Sequence, residues 1–463
     1  MLKIFFLIFM GAGIPVAVAM AGASLVYILF SGNLPPFVVI HRMVSGIDSF
    51  PLLAVPFFIL AGNLMNNAGI TTRIYNFALA LVGWLKGGLG HVNVLGSVIF
   101  AGMSGTAIAD AAGLGTIEIK AMEEHGYSPE FAVGVTAASA TLGPIIPPSL
   151  PFVIYGMMAN VSIGALFLAG LLPGLLMAVL MMLTVTYFAY KNKWGGDIKF
   201  SGSRLAKALA ELGVVAAWPL VLWGLINMGA PPQLTVISGL VGLFVLDKLF
   251  KFEAVLPIMT PVLLIGGMTT GLFTPTEGAI AACVWAMVLG FAWYRTLKFK
   301  MFVKVCLDTV ETTSTVLFIV AAASIFGWML TATGVTADIA KWVLGFTQEA
   351  WVFLLLANLL MLFVGCFLEP TAAITILVPI LLPITQQLGI DPVHFGLVMV
   401  LNLMIGLLHP PMGMVLFVLA RVAKLSVERT TMAILPWLVP LLLSLVIITY
   451  CPKLVLWLPK MFY

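Results

Sequence analysis

Charge is what this chain has least of. Only 9% of its 463 residues are Asp, Glu, Lys or Arg, where a soluble domain carries roughly a quarter. No stretch is polar enough to leave a soluble domain of useful size, so any extramembrane chemistry belongs to partner proteins. The formal charge of +4 marks no nucleic-acid surface, because basic residues in so apolar a chain report topology. Cysteine is sparse too. Cys283, Cys306, Cys366 and Cys451 are scattered without a CxxC spacing, which predicts neither a disulfide framework nor a zinc site. Of five histidines, only His409 falls in a candidate site; His41, His91, His125 and His394 cluster with nothing in the sequence.

What fills the chain instead is apolar sequence. Hydrophobic residues make up 62%, the mean hydropathy is +1.15, and runs such as 161–188 and 432–450 are long enough to span a bilayer. The expected fold is an all-α polytopic membrane protein in contact with lipid. Met1-Leu2-Lys3-Ile4 runs into an apolar segment reaching Phe30. That is long for a signal peptide, and no cleavage site follows a short apolar core, so a retained first helix is expected.

Glycine and proline are plentiful, and their placement repeats. Gly102, Gly126, Pro129, Gly143, Pro147 and Pro148 return as Gly365, Gly389, Pro392, Gly406, Pro410 and Pro411, each 263 residues on. Gly62 and Gly69 match Gly327 and Gly334 at an offset of 265, and Gly11 and Pro15 match Gly271 and Pro275 at 260. Both residue types interrupt helices, and lipid tolerates broken backbone only where protein or an aqueous cavity covers it. Matching broken segments in two halves are a usual pointer to a transporter's binding site.

Basic residues predict the orientation. Lys191, Lys193, Lys199, Arg204 and Lys207 form one basic loop, Arg295, Lys298, Lys300 and Lys304 a second, and Arg421, Lys424 and Arg429 a third. The positive-inside rule puts all three in the cytoplasm. The stretch 343–420 has no Lys or Arg, whereas Lys86 and Lys120 flank the first copy, so the copies face opposite sides as inverted repeats do. The predicted division is a first repeat at 1–190, with a re-entrant hairpin at about 89–125. A basic loop and an added pair of spans follow at 191–253, and a second repeat at 254–463 carries its hairpin at about 350–388.

Four stretches could carry chemistry. The first tip, around Ser104, Gly105 and Thr106, joins small residues to hydroxyls and to the free carbonyls of two half-helices. That set suits a dehydrated alkali cation, and half-helix N-termini suit an anion; close helix packing also explains small residues. At the second tip, Glu369, Pro370 and Thr371 place a carboxylate in apolar sequence, at a cost of about 2.5–3.5 kcal/mol on insertion scales. The cation reading competes there with an acid facing water in a loop. After each tip comes a double-proline break, with Ser139, Thr141 and Gly143 before the first and Asn402 and Gly406 before the second. Freed carbonyls there would complete an oxygen cage, or the prolines only kink the helix. Finally, Thr274, Thr276 and Glu277 read both as a polar break and as a capping box with Pro275 at its first helical position. His409 reads as a structural histidine or, less simply, as a proton carrier.

Taken together, Ser104-Gly105-Thr106-Ala107-Ile108-Ala109-Asp110, Gly143-Pro144-Ile145-Ile146-Pro147-Pro148-Ser149, Phe273-Thr274-Pro275-Thr276-Glu277-Gly278-Ala279 and Pro410-Pro411-Met412-Gly413 resemble the signatures of TRAP transporter large membrane subunits of the DctM type. The resemblance covers nearly the whole chain. It implies a bacterial inner-membrane protein working with a small four-helix membrane subunit and a periplasmic substrate-binding protein. It also implies sodium-driven uptake of an organic acid anion, such as a C4-dicarboxylate, by an elevator movement. Carried over, Ser104, Gly105, Thr106, Ser139, Thr141 and Gly143 contribute to one sodium site. Glu369, Pro370, Thr371, Asn402 and Gly406 contribute to its inverted counterpart, and substrate lies between the tips near Thr274, Thr276, Glu277 and His409. The added spans around 209–250 exceed the compact family pattern, and His409 stands where a small hydroxyl residue is usual, as a mark of substrate preference. Three rivals remain: a stand-alone sodium- or proton-coupled carboxylate transporter or antiporter of related fold, an intramembrane enzyme, and a purely structural scaffold, which leaves the paired helix breaks unexplained. The second has little support, because Gly102-Met103-Ser104-Gly105 fails the GxSxG spacing and has no matching histidine in that half.

Overall fold

A computed structural model describes residues 1–32, 34–228, 231–409 and 413–463, with the backbone alone at 223, 226, 227 and 232–237. The described residues form helices throughout, with no strand beyond one isolated bridge between Lys86 and Gly196. Seven of those helices are long and apolar enough to cross a membrane. Their outward faces fit lipid. On Ile163–Lys191, the exposed Leu175, Val179 and Leu183 stand four residues apart in one stripe, and Tyr187 and Tyr190 follow near its basic end, where interfacial aromatics belong.

Helix order recurs along the chain. The run Ile70–Val82, Gly88–Ser104, Ala107–Ala112 with Leu114–Glu124, Pro129–Ala140, Leu150–Ala159 and Ile163–Lys191 is followed by a matching one. That later run is Val335–Phe346, Ala350–Gly365, Pro370–Gln387, Pro392–Gly406, Met414–Val422 and Val427–Tyr450. The breaks are where Gly and Pro put them. Ser128, Thr274, Glu369 and Asp391 each cap a helix through the side chain, and each is followed by proline at the first helical position. Proline costs nothing there, because that position has no intrahelical N–H bond to lose.

The helices pack in two groups. In one, Phe299–Ala332 lies along Val16–Ser31, Phe37–Ile47 and Ala54–Asn67, while Pro275–Met287 lies along Ala54–Asn67. In the other, Val427–Tyr450 packs on Pro129–Ala140 and Ile163–Lys191, and each hairpin joins the helices that follow it. Tyr155, fully buried, ties the two halves of this second group by donating to Pro392 O at 2.7 Å. The helices Gly202–Asn227 and Pro232–Phe250 are fastened to the first group. Glu211 accepts the backbone N–H groups of Glu253 (3.0 Å) and Ala254 (2.9 Å), and Trp293 Nε1 donates to Asp247 at 2.7 Å.

The connector after Ile163–Lys191 is strapped to the base of the first hairpin. Asp197 Oδ2 accepts from Leu89 N (2.8 Å) and from the Tyr127 hydroxyl (2.7 Å), while Asp197 N donates to Gly83 O at 3.1 Å. Gly87 N donates to Gly195 O at 2.9 Å.

Gly105 shows what the tip demands of its residues. It sits between the arms at φ +67°, and a Cβ there would lie 2.8 Å from Pro148 O. Gly105→Ala is expected to destabilise the protein by about 1–3 kcal/mol, the usual range for left-handed strain in a non-glycine residue. Gly213→Ala, in an open helix position with nothing within 4 Å, should leave stability unchanged or raise it by about 0.5–1 kcal/mol. Thermal melts in detergent check both.

Candidate functional site

Both hairpin tips and both broken helices line one small pocket. Its walls are Thr106, Ala107, Ile108, Pro144, Leu150 and Pro151 from the first half and Glu369, Pro370, Thr371, Met404, Leu407 and Met414 from the second. The space is about 50 Å³, room for an ion or a water but closed to an organic acid.

The first tip is built by close backbone approach. Ser104 ends its helix, Gly105 turns, and Thr106 caps the next helix by accepting from Ala109 N at 3.3 Å. Gly105 O accepts from Leu150 N at 3.3 Å, which stitches the tip to the broken segment. Gly143 lies against Thr106 O, where a Cβ would come to 3.1 Å. The Ser104 hydroxyl is buried with no hydrogen-bond partner among the described residues. Between Ala140 and Leu150 the chain leaves the helix yet stays buried, held by turns and by Ser149 Oγ donating to Pro144 O at 2.5 Å. Thr141 Oγ1 donates to Ala138 O at 2.6 Å.

The second tip uses a carboxylate where the first uses a hydroxyl. Glu369 occupies the position of Thr106 and also acts as a cap, its Oε2 accepting from Thr371 N (3.1 Å), Ala372 N (3.3 Å) and the Thr371 hydroxyl. Pro370 is then first in its helix, as Ala107 is in the other half. Gly365 and Gly406 bring two backbones together, since a Cβ on Gly406 would lie 2.6 Å from Gly365. Pro410, Pro411 and Met412 lie outside the described residues.

Other residues read as site candidates stand elsewhere. Ser139 does not reach the tip: its hydroxyl donates to Asn93 Oδ1 at 2.7 Å, inside the first hairpin domain. Asn402 likewise donates to Asn358 Oδ1 at 2.8 Å, although its own Oδ1 is left without a partner. Thr274 and Glu277 form a complete capping box at the surface, and Thr276 Oγ1 donates to Phe50 O at 3.3 Å. A larger cavity, about 370 Å³, is lined by Ser49, Pro51, Asn160, Ser162, Phe273 and Pro275 among others; of this segment only Phe273 and Pro275 reach it, and Thr274, Thr276 and Glu277 are not in its wall. His409 faces away from the tip pocket, its Nδ1 3.4 Å from Cys366 Sγ. His91 shares a helix with Ser104 but pairs with Thr186 at 3.4 Å, so no serine–histidine arrangement forms.

The family model for the DctM component of tripartite ATP-independent periplasmic transporters matches residues 3–454. The chain belongs to that family. The sialic acid TRAP transporter large permease protein SiaM of Vibrio cholerae is 41% identical over 451 residues, covering 97% of this chain and 96% of that one. The C4-dicarboxylate TRAP transporter large permease protein DctM of Rhodobacter capsulatus is 32% identical over 463 residues, covering 97% and 96%. Among solved structures, MtrF of Neisseria gonorrhoeae, described as one of a class of antimetabolite efflux pumps, aligns with a TM-score of 0.60 at 13% identity. That match covers 89% of this chain and 83% of that chain and concerns the fold alone. This TRAP large permease is a multi-pass protein of the bacterial inner membrane and a subunit of an organic acid transporter, not an enzyme.

Because Glu369 holds two first-turn amides, Glu369→Ala should lower stability by about 0.5–2 kcal/mol, the usual cost of losing a cap. Glu369→Asp keeps a short acceptor and should recover most of it. Thermal unfolding of the purified variants gives the comparison.

Proposed function

We propose that this permease couples sodium entry to uptake of an organic acid anion, carrying cargo at the paired hairpin tips by an elevator movement. The observation that carries the reading is the tip pocket, to which both tips and both broken helices contribute. The polar side chains in its wall, Thr106, Glu369 and Thr371, all offer oxygen, the unpartnered Ser104 hydroxyl lies two residues before Thr106 in the chain, and hard cations favour oxygen donors. Glu369 is already used as a cap, so it reaches a cation only through an oxygen the cap leaves free. No Lys or Arg lines the pocket. An anionic cargo there depends on bound cations and on the helix starts at Thr106 and Glu369 for its compensating charge.

The two packing groups fit a stationary scaffold and a moving domain. Recurring helix order, with the distribution of Lys and Arg, supports two inverted repeats, 1–190 and 254–463. On that topology Ser162 lies opposite the basic loop at Lys191, and the cavity at Asn160 and Ser162 opens to the periplasm. The helix Leu150–Ala159 borders both, with Gly156 and Met157 in this cavity and Leu150 and Pro151 in the tip pocket, a step of about 8 Å for five helical residues. The cavity's volume, about 370 Å³, suits a small organic acid, and Phe273 and Pro275 put the Thr274–Glu277 segment next to this entry path rather than at the tips. The partners this reading requires are a small four-helix membrane subunit and a periplasmic binding protein, which selects the cargo.

The deciding measurement is uptake of a labelled organic acid into proteoliposomes holding this chain, the small subunit and the binding protein. Uptake should need an inward sodium gradient and persist when proton gradients are collapsed; uptake indifferent to sodium defeats the coupling claim. Ser104→Ala and Thr371→Ala should each shift half-saturation by sodium upward several-fold, a loss of about 1–2 kcal/mol for one hydrogen-bonding or coordinating oxygen.

A further inference from the structure

Two carboxylates lie inside the first hairpin domain without lining the tip pocket, although Asp110 N donates to Thr106 O at 3.3 Å, one turn from the tip. Asp110 belongs to Ala107–Ala112 and Glu118 to Leu114–Glu124, and each is only 2% exposed. Asn93, on the facing arm, has every polar atom engaged. It donates to Glu118 Oε2 at 2.6 Å and to Thr136 Oγ1 at 2.8 Å, and accepts from Ser139 at 2.7 Å.

Three oxygens are left over. Asp110 Oδ1, Asp110 Oδ2 and Glu118 Oε1 are buried without a hydrogen-bond partner among the described residues. The two acids are close enough for the charge of Asp110 to act on Glu118. The buried Ser97 hydroxyl, on the arm that carries Asn93, is the side chain close enough to act on Asp110. Gly96 leaves space at the same point, since a Cβ there would stand 2.9 Å from Glu118 Oε1. Among the described residues, no Lys, Arg or His pairs with either acid.

Buried carboxylates without a compensating cation are severely penalised. We propose that Asp110 and Glu118, with the Ser97 hydroxyl, hold one sodium ion at a site separate from the hairpin tips. A spherical cation draws all three orphaned oxygens to one centre. A shared proton joins only two oxygens and leaves the third uncovered. The site has no twin in the second half. At the 263-residue offset Ala373 and Leu381 replace the acids, and the corresponding polar contacts, Asn402 to Asn358 to Thr449, are neutral. This assignment does not rest on the tip pocket being a sodium site.

The test is equilibrium binding of radioactive sodium to the full chain, purified with its small subunit in choline buffer at pH 8. Relative to wild type, Asp110→Asn and Glu118→Gln should each lose about one bound ion per chain, with a smaller sodium-dependent rise in melting temperature. Ser104→Ala should keep that ion. Sodium binding equal to wild type in Asp110→Asn, or in Glu118→Gln should the first variant not fold, overturns the proposal and leaves the pair holding a proton. Loss of all sodium binding in Ser104→Ala also overturns it. Ser104→Ala binding as many ions as wild type counts against the tip pocket and leaves this site standing.

Discussion

Everything at the centre of this molecule depends on satisfying backbone that is not helical. In hydrocarbon an unpaired N–H or C=O costs several kcal/mol, so a broken helix survives only against another piece of protein. Here the break between Ala140 and Leu150 survives because the first tip lies on it. Leu150 N finds Gly105 O, and Gly143 clears space for Thr106 O. Tip and break are one folding unit, and neither is stable alone. The second half solves the same problem with Gly365 against Gly406.

Polar side chains divide into two kinds once this frame is in place. Some serve the frame: Glu369, Thr274, Ser128 and Asp391 all cap helices. Others have no structural duty that accounts for them. Ser104 is buried without a partner, and Asp110 and Glu118 in the first hairpin domain keep carboxylate oxygens with none among the described residues. Burying such groups is expensive, and an oxygen-seeking ligand supplies the missing partner.

Helix breaks were legible in the sequence because Gly and Pro act locally. The 263-residue repeat announced both hairpins, and Thr274-Pro275-Thr276-Glu277 read as a capping box, which it is. Residues joined only by folding were not legible. Ser139 looked like a tip ligand from its spacing, yet its partner is Asn93, 46 positions earlier on another helix. Glu118 gave one weak signal, an acid in the second arm of a membrane hairpin. That signal gained meaning only when Asp110, Asn93 and Gly96 closed around it. His409 was misleading for a similar reason: it is adjacent to the second break in sequence but turns toward Cys366.

The strap at Asp197 gives the molecule two unequal ends. Joined at Gly83, Leu89 and Tyr127, the connector and the root of the first hairpin behave as a single stiff bracket. The root of the second hairpin carries a lighter tie among the described residues, the Tyr450 hydroxyl donating to Trp351 O at 3.4 Å. One root is therefore clasped by an aspartate that holds several groups at once, and the other by a single long contact from a phenol. Two halves of like helix order thus meet the rest of the protein through fastenings of different strength.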